Sequence, residues 1–335
     1  MIDIKKKLKK KYTWLITGVA GFIGSNLLYE LLKHDQNVIG IDNLSNATLE
    51  NLNHIKKKVS KQKWKKFKFY KRNITDNQFC KKIIPKADFV LHQAARGSVA
   101  KSTIDPIKTN NSNIDGFLNI LFLSKNSKKI KSFVYASSGS VYGDSKTLPK
   151  IERITGKILS NYGLTKKVNE EYAELFYKLY NFKSIGLRYF NVFGRYQSPN
   201  GDYAAVIPRW INKVIKNNEI TIFGDGKTSR DFTPISNVVQ ANILAALQNL
   251  PKKNHVYNVG TGSRITLNKL ILTIYDILKT QKSNQNLSYK DFRQGDIRHS
   301  LANISKIKKE LGYQSNIKFK NSLESTIKWF VEQQS

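Results

Sequence analysis

Cysteine, histidine and acidic residues are scarce in this chain of 335 residues. Its one cysteine, Cys80, excludes an intrachain disulfide and a zinc site built from cysteines. The five histidines are scattered, without the spacing of paired metal ligands, so we predict no metal site. A single cysteine fits a reducing compartment, and we expect a cytoplasmic protein.

Long apolar runs are also missing. No stretch approaches the roughly 18 apolar residues that crossing a bilayer requires. The basic start MIDIKKKLKKKY lacks the apolar core and the cleavage site of a signal peptide. Apolar residues nevertheless make up 40% of the chain, which is typical of a globular protein with a sizeable core. We therefore predict no membrane partner.

Positive charge dominates, because 57 Lys and Arg face 24 Asp and Glu, for a net charge of +33. Such an excess can indicate a nucleic-acid partner. The densest clusters are residues 5–11 and 54–72, and the second interleaves aromatic residues with lysines. However, its FKFY segment alternates as a strand does, and the lysines before it fit a solvated helix face. We predict no nucleic-acid partner, although the charge would still attract a phosphate-bearing ligand.

Short apolar runs alternate with amphipathic stretches in the first half of the chain. This pattern favours a parallel sheet covered by helices on both faces. The predicted fold class is α/β, a Rossmann-type doubly wound parallel sheet followed by a smaller α/β C-terminal domain. Strands are predicted at 13–18, 37–42, 66–73, 87–95, 132–138 and 183–191, and helices at 22–34, 109–127 and 161–180.

The segment TGVAGFIG places Gly18, Gly21 and Gly24 between the first predicted strand and the first helix. Gly18 permits a tight turn, Gly21 lets a pyrophosphate approach the backbone, and Gly24 allows close packing of helix on strand. Asp42 ends the next strand, where a carboxylate can bond an adenosine ribose and would repel a 2′-phosphate. The sequence thus predicts a dinucleotide site that prefers NAD to NADP, although a purely structural turn would use similar residues.

Two polar segments predict an acid–base site. YASSGSVYG sets Ser137, Ser138 and Ser140 at the end of a strand, and NYGLTK sets Tyr162 and Lys166 on one helix face. A tyrosine has an ordinary pKa of about 10, and a nearby ammonium favours its phenolate, so it can serve as a general base. Ser138 could share a hydrogen bond with the same substrate hydroxyl. Taken separately, the serines also fit a turn and the Tyr–Lys pair a helix surface.

Together these motifs resemble the extended short-chain dehydrogenase/reductase family, in particular its nucleotide-sugar C4-epimerases. The chain looks most like the bacterial UDP-N-acetylglucosamine 4-epimerases that make surface-polysaccharide precursors. The resemblance covers nearly the whole chain and rests on TGVAGFIGSN, VLHQAA, NNSNIDGFLN, YASSGSVYGD, NYGLTKKVNE, LRYFNVFG, PNGDYAAVIP, GDGKTSRDF and FRQGDIRHSLANISKIKKELGY.

The resemblance implies a role for each matching residue. Tyr162 would be the base, Lys166 its modulator and ribose ligand, and Ser138 their hydrogen-bonding partner. The implied NAD-binding residues are Gly18, Gly21, Phe22, Ile23, Gly24, Asp42, Asn43, Asn73, Ile74, Gln93, Ala94, Ala95, Asn113, Tyr162 and Lys166. The implied substrate-binding residues are Ser98, Ser138, Gly139, Ser140, Asn191, Tyr203, Ala204, Val206, Arg230, Arg293, Asp296 and Ser300.

The resemblance also implies how two domains would hold NAD and the UDP-sugar. In the family an aspartate usually contacts the adenine of NAD. Asn73 stands at that position here, and its side chain can still accept a hydrogen bond. The NAD-binding domain would span residues 1–190, with 231–260 returning to it, and the substrate domain would span 191–230 and 261–335. Asn191 would contact the sugar or its diphosphate. The backbone of Tyr203, Ala204 and Val206 would form a shelf beside the uracil. Arg230 and Arg293 would clamp the diphosphate, and Asp296 would bind the uridine ribose.

The fold alone does not decide the reaction, because the family includes epimerases, dehydratases, decarboxylases and reductases. The dehydratases and decarboxylases usually carry carboxylates where this chain has Ser138, Gly139 and Ser140. A site without carboxylates favours C4 epimerisation. In this reaction permanently bound NAD takes a hydride from C4, the 4-keto sugar rotates about its link to the diphosphate, and the hydride returns to the opposite face. Alternatives are a dehydratase or reductase on the same fold, or a non-catalytic NAD-binding protein whose basic surface binds RNA or a partner.

Ser300 stands where C4-epimerases can carry a bulky tyrosine, and a small side chain leaves room for an N-acetyl group. The segment RGSVAKS also resembles the N-acetylhexosamine subgroup, although Ala100 and Lys101 replace its usual proline and arginine. We expect UDP-GlcNAc and UDP-GalNAc as substrates. UDP-glucose and UDP-N-acetylglucosaminuronic acid are alternatives, the latter with Arg96, Lys101 or Arg298 beside its carboxylate.

Helices 109–127 and 161–180 carry apolar stripes. The family pairs such helices in a dimeric four-helix bundle, so we expect a homodimer, although the stripes could also only cover the sheet.

Overall fold

The computed structural model describes residues 7–200, 204–248, 255–281, 286–292, 297–315 and 319–333. Within these ranges the apolar runs form strands and the amphipathic stretches form helices. The strands, in chain order, are β1 (Thr13–Thr17), β2 (Asn37–Asp42), β3 (Phe67–Lys71), β4 (Phe89–His92), β5 (Ser132–Ser138), β6 (Ser184–Tyr189), β7 (Val192–Phe193), β8 (Ile220–Phe223), β9 (Ser229–Arg230), β10 (Thr233–Pro234), β11 (His255–Val259), β12 (Ile265–Thr266) and β13 (Leu287–Lys290).

Helices connect most of these strands. A π-helical segment (Asn111–Asp115) joins two of them, and a 3-10 helix (Gly139–Tyr142) follows β5. The α-helices are α1 (Phe22–Lys33), α2 (Glu50–Lys58), α3 (Lys61–Trp64), α4 (Asn77–Ile83), α5 (Val99–Ile104), α6 (Pro106–Asn110), α7 (Gly116–Lys125), α8 (Asn161–Tyr180), α9 (Val206–Ile215), α10 (Ile235–Leu247), α11 (Leu267–Leu278), α12 (Ser305–Leu311) and α13 (Phe319–Glu332).

The central sheet has seven strands in the order β11–β6–β5–β4–β1–β2–β3, all of them parallel. This confirms the predicted doubly wound parallel sheet. The chain leaves β1 toward β2 and β3 on one side, and toward β4, β5 and β6 on the other. Open α/β sheets bind ligands at such a reversal, at the carboxyl ends of the strands.

Both faces of the sheet are covered by helices, which explains why its central strands are mostly apolar. Trp14 and Ile16 of β1 pack in a cluster with α1 and α10. Leu15 points the other way, into a cluster with α7 and α8. Successive strand residues face opposite sides, so each of these residues contributes to one layer of helices.

The second half of the chain builds both the sheet and a smaller lobe. Helix α10 packs in the core of the large sheet, and β11 extends that sheet beside β6. The smaller lobe has its own core, in which Trp210, Ile222, Ile271 and Phe330 pack together from α9, β8, α11 and α13. Strand β13 pairs with β8 in the same lobe.

The lysine-rich segment 54–72 forms parts of α2, α3 and β3. Leu52 and Ile55 of α2 face the core, whereas Lys56 and Lys57 are exposed. This is the solvated helix face that the spacing of the lysines predicts. Separately, none of the helices in the described ranges combines the length and apolar character needed to cross a membrane.

Candidate active site

The glycine loop joins β1 to α1 at the carboxyl edge of the sheet. Gly18 has a φ of +70°, and its N–H donates to the Ile41 carbonyl of β2 at 2.8 Å. A Cβ on Gly24 would lie 2.1 Å from the Gly18 carbonyl oxygen. Only glycine therefore lets α1 begin so close to the turn, which leaves the loop backbone bare toward the sheet edge.

Asp42 ends β2 and faces this loop. Its Oδ2 accepts from the Ala20 N–H at 3.0 Å, and its Oδ1 accepts from the Leu44 N–H at 2.8 Å. Burial raises the pKa of this carboxyl, and the backbone N–H groups oppose that rise. Each oxygen retains a lone pair, so the carboxylate can also accept hydrogen bonds from ribose hydroxyls.

A cleft runs along the carboxyl ends of β1, β2 and β4. Its bare glycine backbone, its carboxylate and its small alanines fit an extended dinucleotide. Of the predicted NAD-binding residues, it is lined by Gly18, Gly21, Asp42, Asn43, Asn73, Ile74, Gln93, Ala94 and Ala95. Sequence reasoning missed the lining residues Ile41, Ser45, Asn46, Ala47, Arg72 and Ser112, of which only Ser112 belongs to a matching motif, NNSNIDGFLN.

Several predicted NAD-binding residues do not line this cleft. Gly24 lies inside the first turn of α1, behind the loop, and Phe22 and Ile23 precede it on the same helix. Asn113 is buried, and its side-chain amide forms hydrogen bonds with two segments beside the site. Its Oδ1 accepts from the Arg96 N–H at 2.7 Å, and its Nδ2 donates to Thr165 Oγ1 at 3.0 Å. Asn113 thus ties the loop after β4 to α8.

Tyr162 and Lys166 lie on the first turns of α8, over the end of β5. The Tyr162 N–H donates to Ser102 Oγ at 3.0 Å, and Ser160 Oγ caps the helix by accepting from the Gly163 N–H at 3.0 Å. The Lys166 ammonium lies 5.9 Å from the centre of the Tyr162 ring and donates to the Ala136 carbonyl at 2.9 Å. The phenol and the ammonium are therefore neighbours, as their spacing predicts.

Burial shifts the proton affinity of both side chains. It raises the pKa of the Tyr162 phenol, and a hydrogen bond with Ser138 opposes that rise. It lowers the pKa of Lys166 to about 8, and the Glu170 carboxylate opposes that fall. The site thus contains a neutral phenol and an ammonium that titrates close to physiological pH.

Ser138 ends β5 and caps the short 3-10 helix that follows. Its Oγ accepts from the Ser140 N–H and donates to the Ser140 hydroxyl, both at 3.1 Å. Gly139 lies between them, and a Cβ there would come 3.5 Å from the Tyr189 carbonyl. The predicted catalytic residues Ser138, Tyr162 and Lys166 are thus brought together from β5 and α8.

The predicted sugar-site residues Asn191 and Ser300 also lie close together. Asn191 Nδ2 is 3.5 Å from Ser300 Oγ, and it donates to the Asp231 carbonyl at 3.2 Å. The Ser300 N–H donates to the Ser229 carbonyl at 3.0 Å, next to Arg230. The structure therefore joins segments that are far apart in sequence into one wall.

The remaining predicted substrate residues are spread around this wall. The Arg230 guanidinium donates to the carbonyls of Ser229 and Arg298, each at 3.1 Å. Ser98 has a φ of +145° and caps α5. Ala204 precedes α9 and Val206 begins it. Three predicted residues lie outside the described residues, namely Tyr203, Arg293 and Asp296.

A cavity of about 490 Å³ lies elsewhere, between α1, α10 and α13. Trp329, Ser325 and Gln240 are among its lining residues, and no predicted site residue lines it. Its size alone does not identify it as the active site, because the predicted catalytic residues Ser138, Tyr162 and Lys166 and the glycine loop all lie at the carboxyl edge of the sheet.

Comparison with known proteins agrees with this geometry. The profile of the NAD dependent epimerase/dehydratase family matches residues 14–260. A putative UDP-glucose 4-epimerase of Methanocaldococcus jannaschii is 35% identical over 94% of this chain and 97% of its own length. A UDP-glucuronate 4-epimerase of Thermodesulfobacterium geofontis is 35% identical over 95% of this chain and 96% of its own.

A solved structure extends the likeness to the fold. The UDP-N-acetylglucosamine 4-epimerase of Methanobrevibacter ruminantium, solved with UDP-N-acetylmuramic acid, superposes with a TM-score of 0.89. It is 36% identical, and the match covers 97% of this chain and 99% of that one. These findings confirm the predicted family, its enzyme class and NAD as its cofactor. The matched residues include the glycine loop, Ser138, Tyr162 and Lys166, and the chain belongs to the NAD-dependent epimerase/dehydratase family.

Proposed function

We propose that this protein is a UDP-hexose 4-epimerase that interconverts UDP-GlcNAc and UDP-GalNAc. The observation that carries the reaction type is the acid–base site, in which Tyr162 and Lys166 flank a strand end without a carboxylate. The hydroxyl beside Ser138 is Ser140. Positions 138–140 carry no acid to protonate a leaving hydroxyl, and the nearby Glu170 carboxylate is paired with Arg188, so the site supports removal and return of hydrogen at one carbon.

The mechanism assigns one task to each residue. Bound NAD supplies the hydride acceptor and donor for C4. Tyr162 takes the proton of the C4 hydroxyl and later returns it, while Ser138 shares a hydrogen bond with that hydroxyl. The Lys166 ammonium favours the phenolate by placing a positive charge near the ring. Burial of both groups strengthens this interaction, because less water screens it.

The two lobes would divide the binding work. We propose that residues 1–190 and 231–260 hold the dinucleotide, and that 191–230 and 261–335 hold the UDP-sugar. The glycine loop and Asp42 support the first assignment. Arg230 supports the second, since a guanidinium can bind a diphosphate in a bidentate way. A substrate anchored by its diphosphate leaves the sugar free to present either face to Tyr162.

Ser300 supports the preference for an N-acetylated sugar. It lies 3.5 Å from Asn191, and its small side chain leaves room in that wall for an acetamido group. A UDP-hexuronic acid is the second candidate. The Arg96 Nε is buried without a hydrogen-bond partner, and the backbone of Arg96 is held beside α8 by Asn113, so its guanidinium could bind a sugar carboxylate.

The first experiment incubates the purified protein with UDP-GlcNAc, without added NAD, and follows the anomeric and H4 signals by proton NMR. We expect UDP-GalNAc signals that grow to a constant ratio. Parallel reactions with UDP-glucose and UDP-N-acetylglucosaminuronic acid rank the substrates. A dehydrated keto product, or no conversion of any of the three by protein that retains NAD, would overturn the proposal.

The variant Ser300→Tyr tests the size argument. We expect it to lower kcat/KM for UDP-GlcNAc at least about tenfold, since a bulky side chain competes with the acetamido group. Its kcat/KM for UDP-glucose should change much less. Ser300→Ala is the matched control and should convert both substrates. Equal losses on the two substrates in Ser300→Tyr would contradict the proposed role of this position.

We also propose a homodimer formed through α7 and α8. Their outer faces expose Phe122, Leu164, Leu175 and Leu179 by 44%, 50%, 45% and 61%. An apolar patch of this kind marks an interface. The double variant Leu175→Glu/Leu179→Glu should be monomeric in light scattering at micromolar concentration, whereas the wild type and Leu272→Glu on α11 should be dimeric. A monomeric wild type would refute this assembly.

A further inference from the structure

A buried ion pair lies directly beneath the acid–base site. Glu170 follows Lys166 by one helical turn, and Arg188 lies on β6. The guanidinium binds the carboxylate in a bidentate way, with Nε–Oε1 at 2.8 Å and Nη2–Oε2 at 2.7 Å. The Glu170 and Arg188 side chains are only 5% and 4% exposed. Burying two charges is costly, so their retention here needs a reason.

The last three residues of β5 contact three residues that lie on one face of α8. The Ala136 carbonyl accepts from Lys166 at 2.9 Å. The Ser137 hydroxyl donates to Glu170 Oε1 at 2.5 Å. Ser138 is hydrogen-bonded to Tyr162. Consecutive residues of β5 thus hold Tyr162, Lys166 and Glu170, which recur every four residues along α8 and share one face.

We propose that Glu170 is a positioning residue for the proton-transfer pair: held by Arg188 and Ser137, it fixes α8 in register on β5 and supplies the negative charge that keeps Lys166 protonated. The structural part of this inference stands on the contacts alone. Its consequence for the reaction rests on the proposed epimerase function.

The surroundings of Lys166 leave Glu170 as the source of that charge. From its own helix, Lys166 faces Tyr162 and Glu170. From β5 it meets the Ala136 carbonyl, and from β4 it meets His92, whose pKa is lowered to about 3 by burial and by Lys166, so this ring is neutral. Tyr189 of β6 is a buried phenol whose pKa is also raised. Arg188 of β6, which binds Glu170, is the other charged group of this cluster and opposes it in sign, so Glu170 is the anion that favours the ammonium.

The sign of the effect follows from this arrangement. Burial lowers the pKa of Lys166, and Glu170 raises it back toward its ordinary value. Without the carboxylate, Lys166 would lose its proton at a lower pH. The positive charge beside Tyr162 would then disappear at a lower pH, and proton transfer would fail there. The alkaline limb of the activity profile should therefore move to lower pH.

The test compares Glu170→Gln with the wild type by a measurement that needs no sugar. In protein labelled with ¹³C at lysine Cε, the Lys166 signal is identified by its loss in Lys166→Met, and its titration is followed by NMR. We expect the pKa of Lys166 to fall by about one unit in Glu170→Gln, a roughly tenfold change in the ammonium-to-amine ratio. An unchanged titration would overturn the proposal.

Two controls separate charge from shape. Ser137→Ala removes a hydrogen bond and keeps the Glu170 charge, so the Lys166 titration should not move. Glu171→Gln neutralises the next residue, which pairs with Lys167 at 2.7 Å on the solvent side. This variant should also leave the Lys166 titration unchanged. A shift in Glu171→Gln equal to that in Glu170→Gln would refute a specific role for Glu170.

Glu170→Gln also leaves Arg188 buried without its partner, and this variant could fail to fold. The double variant Glu170→Gln/Arg188→Gln removes both charges, and its Lys166 pKa should fall by less than in Glu170→Gln, because the repulsion of the Arg188 guanidinium is lost as well. Activity profiles add the functional readout, with an alkaline limb that moves to lower pH in each variant by as much as its Lys166 titration does. Absence of activity in the wild type would refute the proposed function, whereas the NMR titration would still decide the role of Glu170.

Discussion

Replacing Tyr162 by phenylalanine is expected to lower kcat for sugar conversion by about 10²–10⁴-fold, the contribution that a positioned general base makes. The variant lacks the hydroxyl that takes the C4 proton. The phenylalanine ring has the same shape as the tyrosine ring, so α8 should still pack over β5. The lost hydrogen bond is the one with Ser138, and that hydroxyl keeps its bonds to Ser140 at 3.1 Å.

The measurement is kcat together with NAD content, read from the absorbance spectrum of the purified protein. Tyr172→Phe is the matched control, because Tyr172 lies on the same helix and packs against the neighbouring core, away from Ser138. We expect Tyr172→Phe to retain activity and both variants to retain NAD. More than about a tenth of wild-type kcat in Tyr162→Phe would exclude Tyr162 as the base.

The elements nearest the site could be predicted from sequence because their signals are local. Tyr162 and Lys166 share a helix face through spacing alone, and the cap at Ser160 begins α8 at the expected residue. The glycine loop is similarly self-contained, since its residues follow one strand and begin one helix. Periodicity therefore predicted α8 and the strands β1, β2 and β5 within a few residues of their observed bounds.

The contacts beneath the site could not be predicted in this way. Ser137, Glu170 and Arg188 lie on three separate elements, and no local pattern specifies that they meet. A signal was present, because Arg188 is the charged residue of the strand SIGLRY, all of which is buried. A buried cation requires a buried partner, but the sequence does not say which of the 24 acidic residues provides it.

The second half of the chain could not be predicted from its periodicity for a related reason. Helix α10 packs on the large sheet and β11 extends it, although both follow segments that build the smaller lobe. Only the family resemblance, and not the pattern of residues, led to the expectation that residues 231–260 return to that sheet. Asn191 and Ser300 meet in one wall although more than a hundred residues separate them. Such a meeting depends on how the lobes pack, and periodicity carries no information about it.

Gly24→Ala is expected to destabilise the protein and to abolish NAD retention. The new Cβ would lie 2.1 Å from the Gly18 carbonyl oxygen and 2.8 Å from the Val19 Cα, and neither backbone atom can rotate away. Relieving this overlap must move α1 off the turn, at a cost of about 1–3 kcal/mol or more. A melting temperature lower by roughly 5 °C or more is the expected result.

Gly21→Ala distinguishes loss of packing from loss of the cofactor surface. A Cβ there would lie 3.3 Å from the Gly18 carbonyl oxygen, a tight contact that a small shift relieves. We expect this variant to melt close to the NAD-free wild type but to retain little NAD, because the methyl group covers the backbone that a pyrophosphate approaches. Gly97→Ala, whose Cβ would meet nothing within 4 Å, should match the wild type in both measurements. NAD retention by Gly21→Ala at the wild-type level would show that the pyrophosphate lies away from this loop, since a bound phosphate and the added methyl group cannot share that space.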